Sequence, residues 1–93
     1  MRVGVVKETK VREFRVSLTP SGAQALVAHN HQVFIEQSAG IGSGFSDRDY
    51  QRAGAQIVTT AEAWLCDLVL KVKEPQASEY HYFKRQIVFA YFH

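Results

Sequence analysis

Two short apolar segments separated by a helical pattern constrain the fold of this chain more than any other feature of its sequence. Residues 3–6 and 33–35 are rich in β-branched or aromatic side chains, as buried strands are. Between them, Thr19 and Pro20 predict a helix start, because Thr caps a helix and Pro is tolerated in the first turn. The apolar spacing continues that helix over about residues 21–29. A strand–helix–strand unit of this kind predicts parallel pairing with a right-handed crossover.

Three further extended segments continue the alternation, at residues 57–58, 68–72 and 87–92. A short helix is predicted before each of the first two segments. One covers residues 47–53 after the cap Ser46, and the other is capped by Thr60. The pattern predicts an α/β fold, a parallel Rossmann-like or flavodoxin-like sheet with flanking helices. The last strand has no following segment to cover it. We therefore expect residues 1–93 to be an incomplete N-terminal substrate domain, the alternative being an edge strand at a natural terminus.

Composition excludes several classes of protein. The 93 residues are 46% hydrophobic and 22% charged, which is typical of one small globular domain rather than of a disordered chain or a membrane span. The net charge is +2 and the basic residues are scattered, which argues against nucleic-acid binding. The single cysteine, Cys66, lies in an apolar run and is predicted to be a core residue in a reducing compartment. The N-terminus lacks a secretion signal, so we expect a cytoplasmic protein.

Three chemically useful side chains follow three of the predicted strands. Arg15 lies in the charged loop after the first strand, Lys73 follows the strand at 68–72, and His93 follows the last strand. Ligands of open parallel sheets bind outside the carboxyl ends of the strands. A guanidinium binds carboxylates, an ammonium group donates to a carbonyl oxygen, and an imidazole suits acid–base work near neutral pH. Together they predict a site for a small anionic carbonyl compound.

Each of these residues also has a simpler interpretation. Arg15 could be a surface arginine, Lys73 could pair with the neighbouring Glu74, and His93 could be an accident of the terminus. The position of Lys73 favours a functional role for it. Lys73 and Lys71 are alternate residues of an otherwise apolar strand, and such residues point the same way.

A glycine cluster at residues 40–44 superficially resembles a phosphate-binding loop. The dinucleotide fingerprint is G-x-G-x-x-G at the start of a helix, whereas here the third glycine comes one residue early. We therefore predict a turn rather than a nucleotide site. The remaining histidines lack metal-ligand spacing with the cysteine or with paired carboxylates.

Several motifs resemble one known family throughout the chain. They are Arg2-Val3-Gly4-Val5, Lys7-Glu8-Thr9-Lys10, Glu13-Phe14-Arg15-Val16, Thr19-Pro20, Ala53-Gly54-Ala55, Leu70-Lys71-Val72-Lys73-Glu74-Pro75 and Phe89-Ala90-Tyr91-Phe92-His93. The chain thus resembles the N-terminal domain of the alanine dehydrogenase and NAD(P) transhydrogenase α-subunit family. The last two motifs resemble the alanine dehydrogenases more than the transhydrogenases.

The resemblance implies a function and a set of roles. Alanine dehydrogenases oxidatively deaminate L-alanine to pyruvate and ammonium with NAD. By resemblance, Arg15 binds the substrate carboxylate, Lys73 contacts the carboxylate or the carbonyl oxygen, and His93 is the catalytic acid–base residue. NAD would be bound by a domain that these residues do not include, so we expect the 93-residue chain alone to be inactive. The full-length family members are expected to be cytoplasmic homohexamers.

Two alternative functions remain open on the sequence. One is the N-terminal domain of a transhydrogenase α subunit, which the Lys73-Glu74-Pro75 motif and His93 disfavour. The other is a non-catalytic product of a truncated or split gene.

Overall fold

Five strands form a single sheet in the computed structural model, which describes residues 1–91. The strand order is β3-β2-β1-β4-β5, and every pairing between neighbours is parallel. This confirms the predicted α/β class and its parallel sheet. The strands are β1 (Arg2–Val5), β2 (Gln32–Glu36), β3 (Gln56–Val58), β4 (Leu68–Lys71) and β5 (Ile87–Ala90).

Three α-helices connect the strands, and two of them begin where the sequence predicts. They are α1 (Pro20–Ala28), α2 (Asp47–Arg52) and α3 (Thr60–Trp64), with 3-10 helices over Ile41–Ser43 and Ala77–Tyr82. Thr19 caps α1 by accepting a hydrogen bond from the Gly22 amide, and Ser46 caps α2. Both caps confirm the sequence-based prediction.

The cap of α3 was predicted one residue too late. Thr59, not Thr60, is the cap: its hydroxyl accepts from the Glu62 amide, and the Glu62 carboxylate accepts from the Thr59 amide. Such a reciprocal capping box requires the acidic residue three positions after the cap, which only Thr59 satisfies. Thr60 is the first helical residue, and its hydroxyl donates to the Glu36 carboxylate instead.

The core is split between the two faces of the sheet. On one face, α1 and α2 pack over a cluster that includes Val5, Ile35 and Tyr50. On the other, α3 brings Trp64 against Val69. The β1 backbone lies so close to α3 that a Cβ on Gly4 would meet the Ala63 carbonyl oxygen at 2.1 Å, so only glycine fits there.

The order of the strands reverses between β1 and β4, and this locates a crevice. From β1 the chain proceeds outward to β2 and β3, then returns to place β4 on the other side of β1. The loops that leave β1 and β4 therefore diverge at the carboxyl edge of the sheet. In open parallel sheets this is where ligands bind. None of the helices within residues 1–91 is long and apolar enough to cross a membrane.

Candidate functional site

Arg15 and Glu13 form a tight ion pair in the loop after β1. The Arg15 Nε donates to Glu13 Oε2 at 3.0 Å, and Nη2 donates to Oε1 at 2.9 Å. The Arg15 backbone amide also donates to Glu13 Oε2, at 2.9 Å. The Glu13 side chain is only 7% exposed, whereas that of Arg15 is 56% exposed. The pair thus fixes one edge of the guanidinium and leaves the rest of the group facing outward.

The outward edge of Arg15 is the part that can bind a ligand. A guanidinium has five N–H donors in a planar fork, of which Glu13 uses Nε–H and one on Nη2. Within residues 1–91, Nη1 has no hydrogen-bond partner, and Nη2 keeps a second hydrogen. Nη1 and Nη2 together can accommodate one further carboxylate in a bidentate manner. Arg15 can therefore bind an anion without releasing Glu13.

The pair holds the carboxylate of Glu13 in its charged form. The hydrogen bond from the Arg15 side chain is the main cause that lowers the pKa of Glu13 from 4.5 to about 2, and burial opposes it. The nearby positive charge of Lys73 lowers this pKa further. Because the folded-state pKa lies below 4.5, the pairing stabilises the fold above pH 4.5 and is lost as the pH falls toward 2.

We expect Arg15→Met to raise the pKa of Glu13 from about 2 back toward 4.5, since the main cause of its lowering is removed. A carbon-13 NMR titration of the side-chain carboxyls measures this directly. Glu62 is the internal control, because its own pKa is lowered by bonds from Thr59 and should not respond. A wild-type Glu13 that titrates near 4.5 would show that the pair does not form in solution.

Lys73 lies beside this pair, although it belongs to a different loop. Its backbone amide donates to Glu8 Oε1 at 3.2 Å, and its charge acts on the Glu13 carboxylate. The adjacent Val72 lines the same cavity as Arg15. The loops after β1 and β4 therefore bring Arg15 and Lys73, which are far apart in sequence, to the same end of the sheet.

A cavity of about 290 Å³ adjoins Arg15 at this end. Its volume suits a small ligand. Tyr91 also lines it, so the chain runs beside the cavity up to the last described residue. His93 lies outside the described residues, and its acid–base role stays a prediction. The lining is completed by Val16, Ser17, Thr19, Ser43, Phe45 and Val72.

A buried charged cluster next to this site was not predicted from the sequence. The Lys71 side chain is 1% exposed, and its ammonium group lies 3.1 Å from Glu8 Oε1 and 3.2 Å from Glu79 Oε2. Both carboxylate side chains are buried too, at 2% and 3% exposure. We call Glu8, Lys71 and Glu79 the buried triad. Alternation along the strand predicted that Lys71 and Lys73 point the same way, and this stays a prediction. Lys71 ends β4, and its buried side chain is paired within this triad.

The glycine cluster supports the Arg15 loop rather than a nucleotide. A Cβ on Gly42 would lie 2.6 Å from the Phe14 carbonyl oxygen, and the Ser43 hydroxyl donates to that same oxygen. The backbone of Phe14 thus packs directly against Gly42. This close approach is the reason for glycine at residue 42.

We expect Gly42→Ala to displace the Phe14–Arg15 backbone and to cost about 1–3 kcal/mol of stability, as overpacking against a fixed backbone does. Amide chemical shifts and chemical denaturation measure the two effects. Gly44→Ala is the control, because a Cβ there meets nothing within 4 Å, and its strain from a φ of +86° should stay local. Unchanged amide signals at residues 14 and 15 in Gly42→Ala would contradict the close packing.

Other parts of the molecule fit a chemical site less well. Cys66 is buried, and desolvation raises the pKa of its thiol, as expected of a core residue. Among residues 1–91, no group of three or more His, Cys, Asp or Glu side chains could hold a metal ion. A larger cavity of about 600 Å³ lies at the amino ends of β4 and β5, beside Lys84 and Arg85. We favour the smaller cavity because ligands of parallel sheets bind at the opposite, carboxyl edge.

The fold is an α/β domain whose strand order reverses between β1 and β4, and sequence comparison identifies the family. Residues 4–93 match the family described as "Alanine dehydrogenase/PNT, N-terminal domain". The chain therefore belongs to the alanine dehydrogenase and transhydrogenase N-terminal domain family, as its motifs predicted.

Individual relatives agree with this assignment. An alanine dehydrogenase 1 of Staphylococcus aureus is 53% identical over 94 residues, which are 100% of this chain and 25% of the relative. An alanine dehydrogenase of Staphylococcus epidermidis is 52% identical over 95 residues, 100% of this chain and 26% of the relative. The chain thus spans about a quarter of the length of the curated relatives it matches.

Two solved structures share the fold. An L-alanine dehydrogenase superposes with a TM-score of 0.92 at 48% identity, over 100% of this chain and 26% of that one. A transhydrogenase from Sinorhizobium meliloti superposes with a TM-score of 0.90 at 33% identity, over 97% of this chain and 27% of that one. The sequence is thus more similar to the dehydrogenase, while the fold is common to both.

Proposed function

We propose that this chain is the N-terminal, substrate-binding segment of an NAD-dependent alanine dehydrogenase, and that its ligand is the 2-oxo acid pyruvate or the amino acid L-alanine. The observation that carries the proposal is the Glu13–Arg15 ion pair at the carboxyl edge of the sheet, with the charge of Lys73 acting on the same Glu13 carboxylate. The identity of about 52% to alanine dehydrogenases supports the choice of substrate.

The substrate carboxylate would bind the outward edge of Arg15, where Nη1 and Nη2 can donate two parallel hydrogen bonds. The Lys73 ammonium would donate to the carboxylate or to the carbonyl oxygen of the 2-oxo acid. It would thereby stabilise negative charge that develops on that oxygen. His93 would exchange a proton at the oxygen or nitrogen on C2 of the substrate, a role that typically accelerates a reaction by about 10²–10⁴-fold.

The glycine cluster at residues 40–44 lacks the geometry of a dinucleotide-binding loop. A 3-10 helix over Ile41–Ser43 lies within the glycine cluster, no α-helix starts there, and Gly42 packs against the Phe14 carbonyl. The dinucleotide would therefore be held by another part of a longer enzyme. For the isolated 93-residue chain we expect no alanine-dependent formation of NADH.

An exposed apolar strand face supports the proposal that this segment functions within a larger protein. Ile87 and Phe89 of the edge strand β5 are 64% and 52% exposed. Apolar side chains along an unpaired edge strand are normally covered by other parts of a protein. Residues 1–93 would then be one segment of a domain completed elsewhere.

A transhydrogenase α subunit is the second candidate, supported by the matching fold at 33% identity. The two candidates differ in what the site must recognise. An alanine dehydrogenase must bind a small carboxylate at Arg15, whereas a transhydrogenase exchanges hydride between nucleotides and needs no such substrate.

The test is isothermal titration of the 93-residue chain with pyruvate, L-alanine and methyl pyruvate. Methyl pyruvate has the same carbonyl group but no carboxylate charge, so it is the matched control ligand. We expect pyruvate to bind and methyl pyruvate to bind at least tenfold more weakly, about the value of one charge-assisted hydrogen bond. Equal binding of the two ligands, or none of pyruvate, would contradict the proposal.

A further inference from the structure

The Glu8 carboxylate connects the two loops that form the candidate site. It belongs to the loop after β1, which also carries Arg15. Its Oε2 accepts from the Val72 amide at 2.9 Å, and its Oε1 accepts from the Lys73 amide at 3.2 Å. Oε1 also lies 3.1 Å from the Lys71 ammonium. One buried side chain thus anchors consecutive residues of the loop after β4.

We propose that Glu8 is a positioning residue that sets the place of Lys73 relative to Arg15 by binding the backbone at residues 72 and 73. The proposal rests on the carboxylate site proposed above. Glu8 would not touch the substrate. It would act through Lys73, whose ammonium must lie within hydrogen-bond distance of the ligand that Arg15 holds.

The geometry distinguishes this role from general stabilisation. Glu79 lies equally close to the Lys71 ammonium, at 3.2 Å, so Glu8 is not the only carboxylate that compensates the buried charge. Glu79 uses its other oxygen on the Gln76 amide, further along the loop. The two acids therefore share Lys71 but differ in the backbone they hold, and of these two acids it is Glu8 that accepts from the Lys73 amide.

This difference provides a matched pair of variants, Glu8→Gln and Glu79→Gln. Each removes one negative charge from the same ammonium group. Each also replaces one acceptor oxygen with a donating NH₂ group, which cannot accept from a backbone amide or an ammonium. Both variants should lose stability, because each weakens a buried ion pair. Only Glu8→Gln should release the backbone at Lys73.

We expect Glu8→Gln to weaken pyruvate binding to the 93-residue chain about tenfold, since loss of a positioned donor costs the ligand one charge-assisted hydrogen bond. Glu79→Gln should change it less than about twofold. In the Lys73→Met background, Glu8→Gln should weaken binding no further, because the group that it positions is already absent. The proposal would be overturned if Glu8→Gln and Glu79→Gln weakened pyruvate binding equally. It would also be overturned if Glu8→Gln weakened binding as much in the Lys73→Met background as in the wild type.

Amide hydrogen exchange provides a readout that does not depend on ligand binding. Exchange at Val72 and Lys73, compared with the β1 amides, should accelerate in Glu8→Gln but not in Glu79→Gln. If the wild-type chain binds no pyruvate, the proposed function fails, and this exchange pattern still decides whether Glu8 holds Lys73. Should Glu8→Gln not fold, Glu8→Asp replaces it in both measurements, because it keeps the charge but is one methylene too short. Unaltered exchange at Lys73 in the folded variant would refute the positioning role.

Discussion

Replacing Lys71 with methionine is expected to lower the free energy of unfolding by about 3–5 kcal/mol, the usual cost of removing one partner from a buried ion pair. Lys71 is the cation of the buried triad, and Glu8 and Glu79 would lose the charge that compensates them. Small domains have about 5–15 kcal/mol of stability in total. The variant should therefore lose a large part of its stability.

Urea denaturation followed by tryptophan fluorescence measures this effect, since Trp64 is buried in the core. Lys10→Met is the matched control. Lys10 forms an ion pair with Glu74, but both side chains are more than a third exposed, so the expected loss is much smaller. Equal destabilisation by the two variants would show that the triad is not buried in solution.

Replacing Arg15 with methionine is expected to weaken pyruvate binding about 100-fold, because the ligand carboxylate loses its bidentate, charged partner. The change in stability should be much smaller than that of Lys71→Met, since the guanidinium is 56% exposed. Arg15→Lys should recover only part of the affinity, because an ammonium is a point charge and cannot bind a carboxylate in the fork geometry.

Isothermal titration measures these affinities, and Arg85→Met is the control. Arg85 is an exposed arginine that lines the larger cavity at the amino ends of β4 and β5. If Arg85→Met weakened binding and Arg15→Met did not, the ligand would bind at that cavity, and the carboxyl-edge site would be wrong.

The sheet could be predicted from the sequence because its signals are local. The apolar runs mark each strand, and Thr19 and Ser46 mark helix starts that the structure confirms. The prediction of the α3 cap was wrong because two threonines are adjacent in the sequence. Only the reciprocal hydrogen bonds with Glu62 identify Thr59 as the cap. The membership of the family, indicated by the motifs, was likewise confirmed by the comparisons.

The chemistry around the predicted site was less accessible from the sequence, since it depends on contacts between distant residues. Nothing in the sequence near Lys71 indicates that Glu8, 63 residues earlier, lies beside it. The signal that could have revealed the triad was the charged residue ending an otherwise apolar strand, because such a group needs a buried partner. The Glu13–Arg15 ion pair joins residues only two positions apart, but it was not predicted either. A spacing of two residues within a loop forms no periodic pattern that would indicate a contact.

Other predictions made from the sequence stay predictions. His93 lies outside the described residues, so its acid–base role stays a prediction. The roles of Arg15 and Lys73 are tested by the ligand-binding measurements above. The cytoplasmic location and the hexamer of full-length chains also remain predictions.

The most direct test of the shared Arg15–Lys73 site is an NMR titration of the isotope-labelled 93-residue chain with pyruvate, following the side-chain signals of all arginines and lysines. We expect the signals of Arg15 and Lys73 to move together with one dissociation constant, while those of Lys84 and Arg85 stay in place. Movement of Arg15 without Lys73, or of Lys84 and Arg85 instead, would mean that the two loops do not form one carboxylate site.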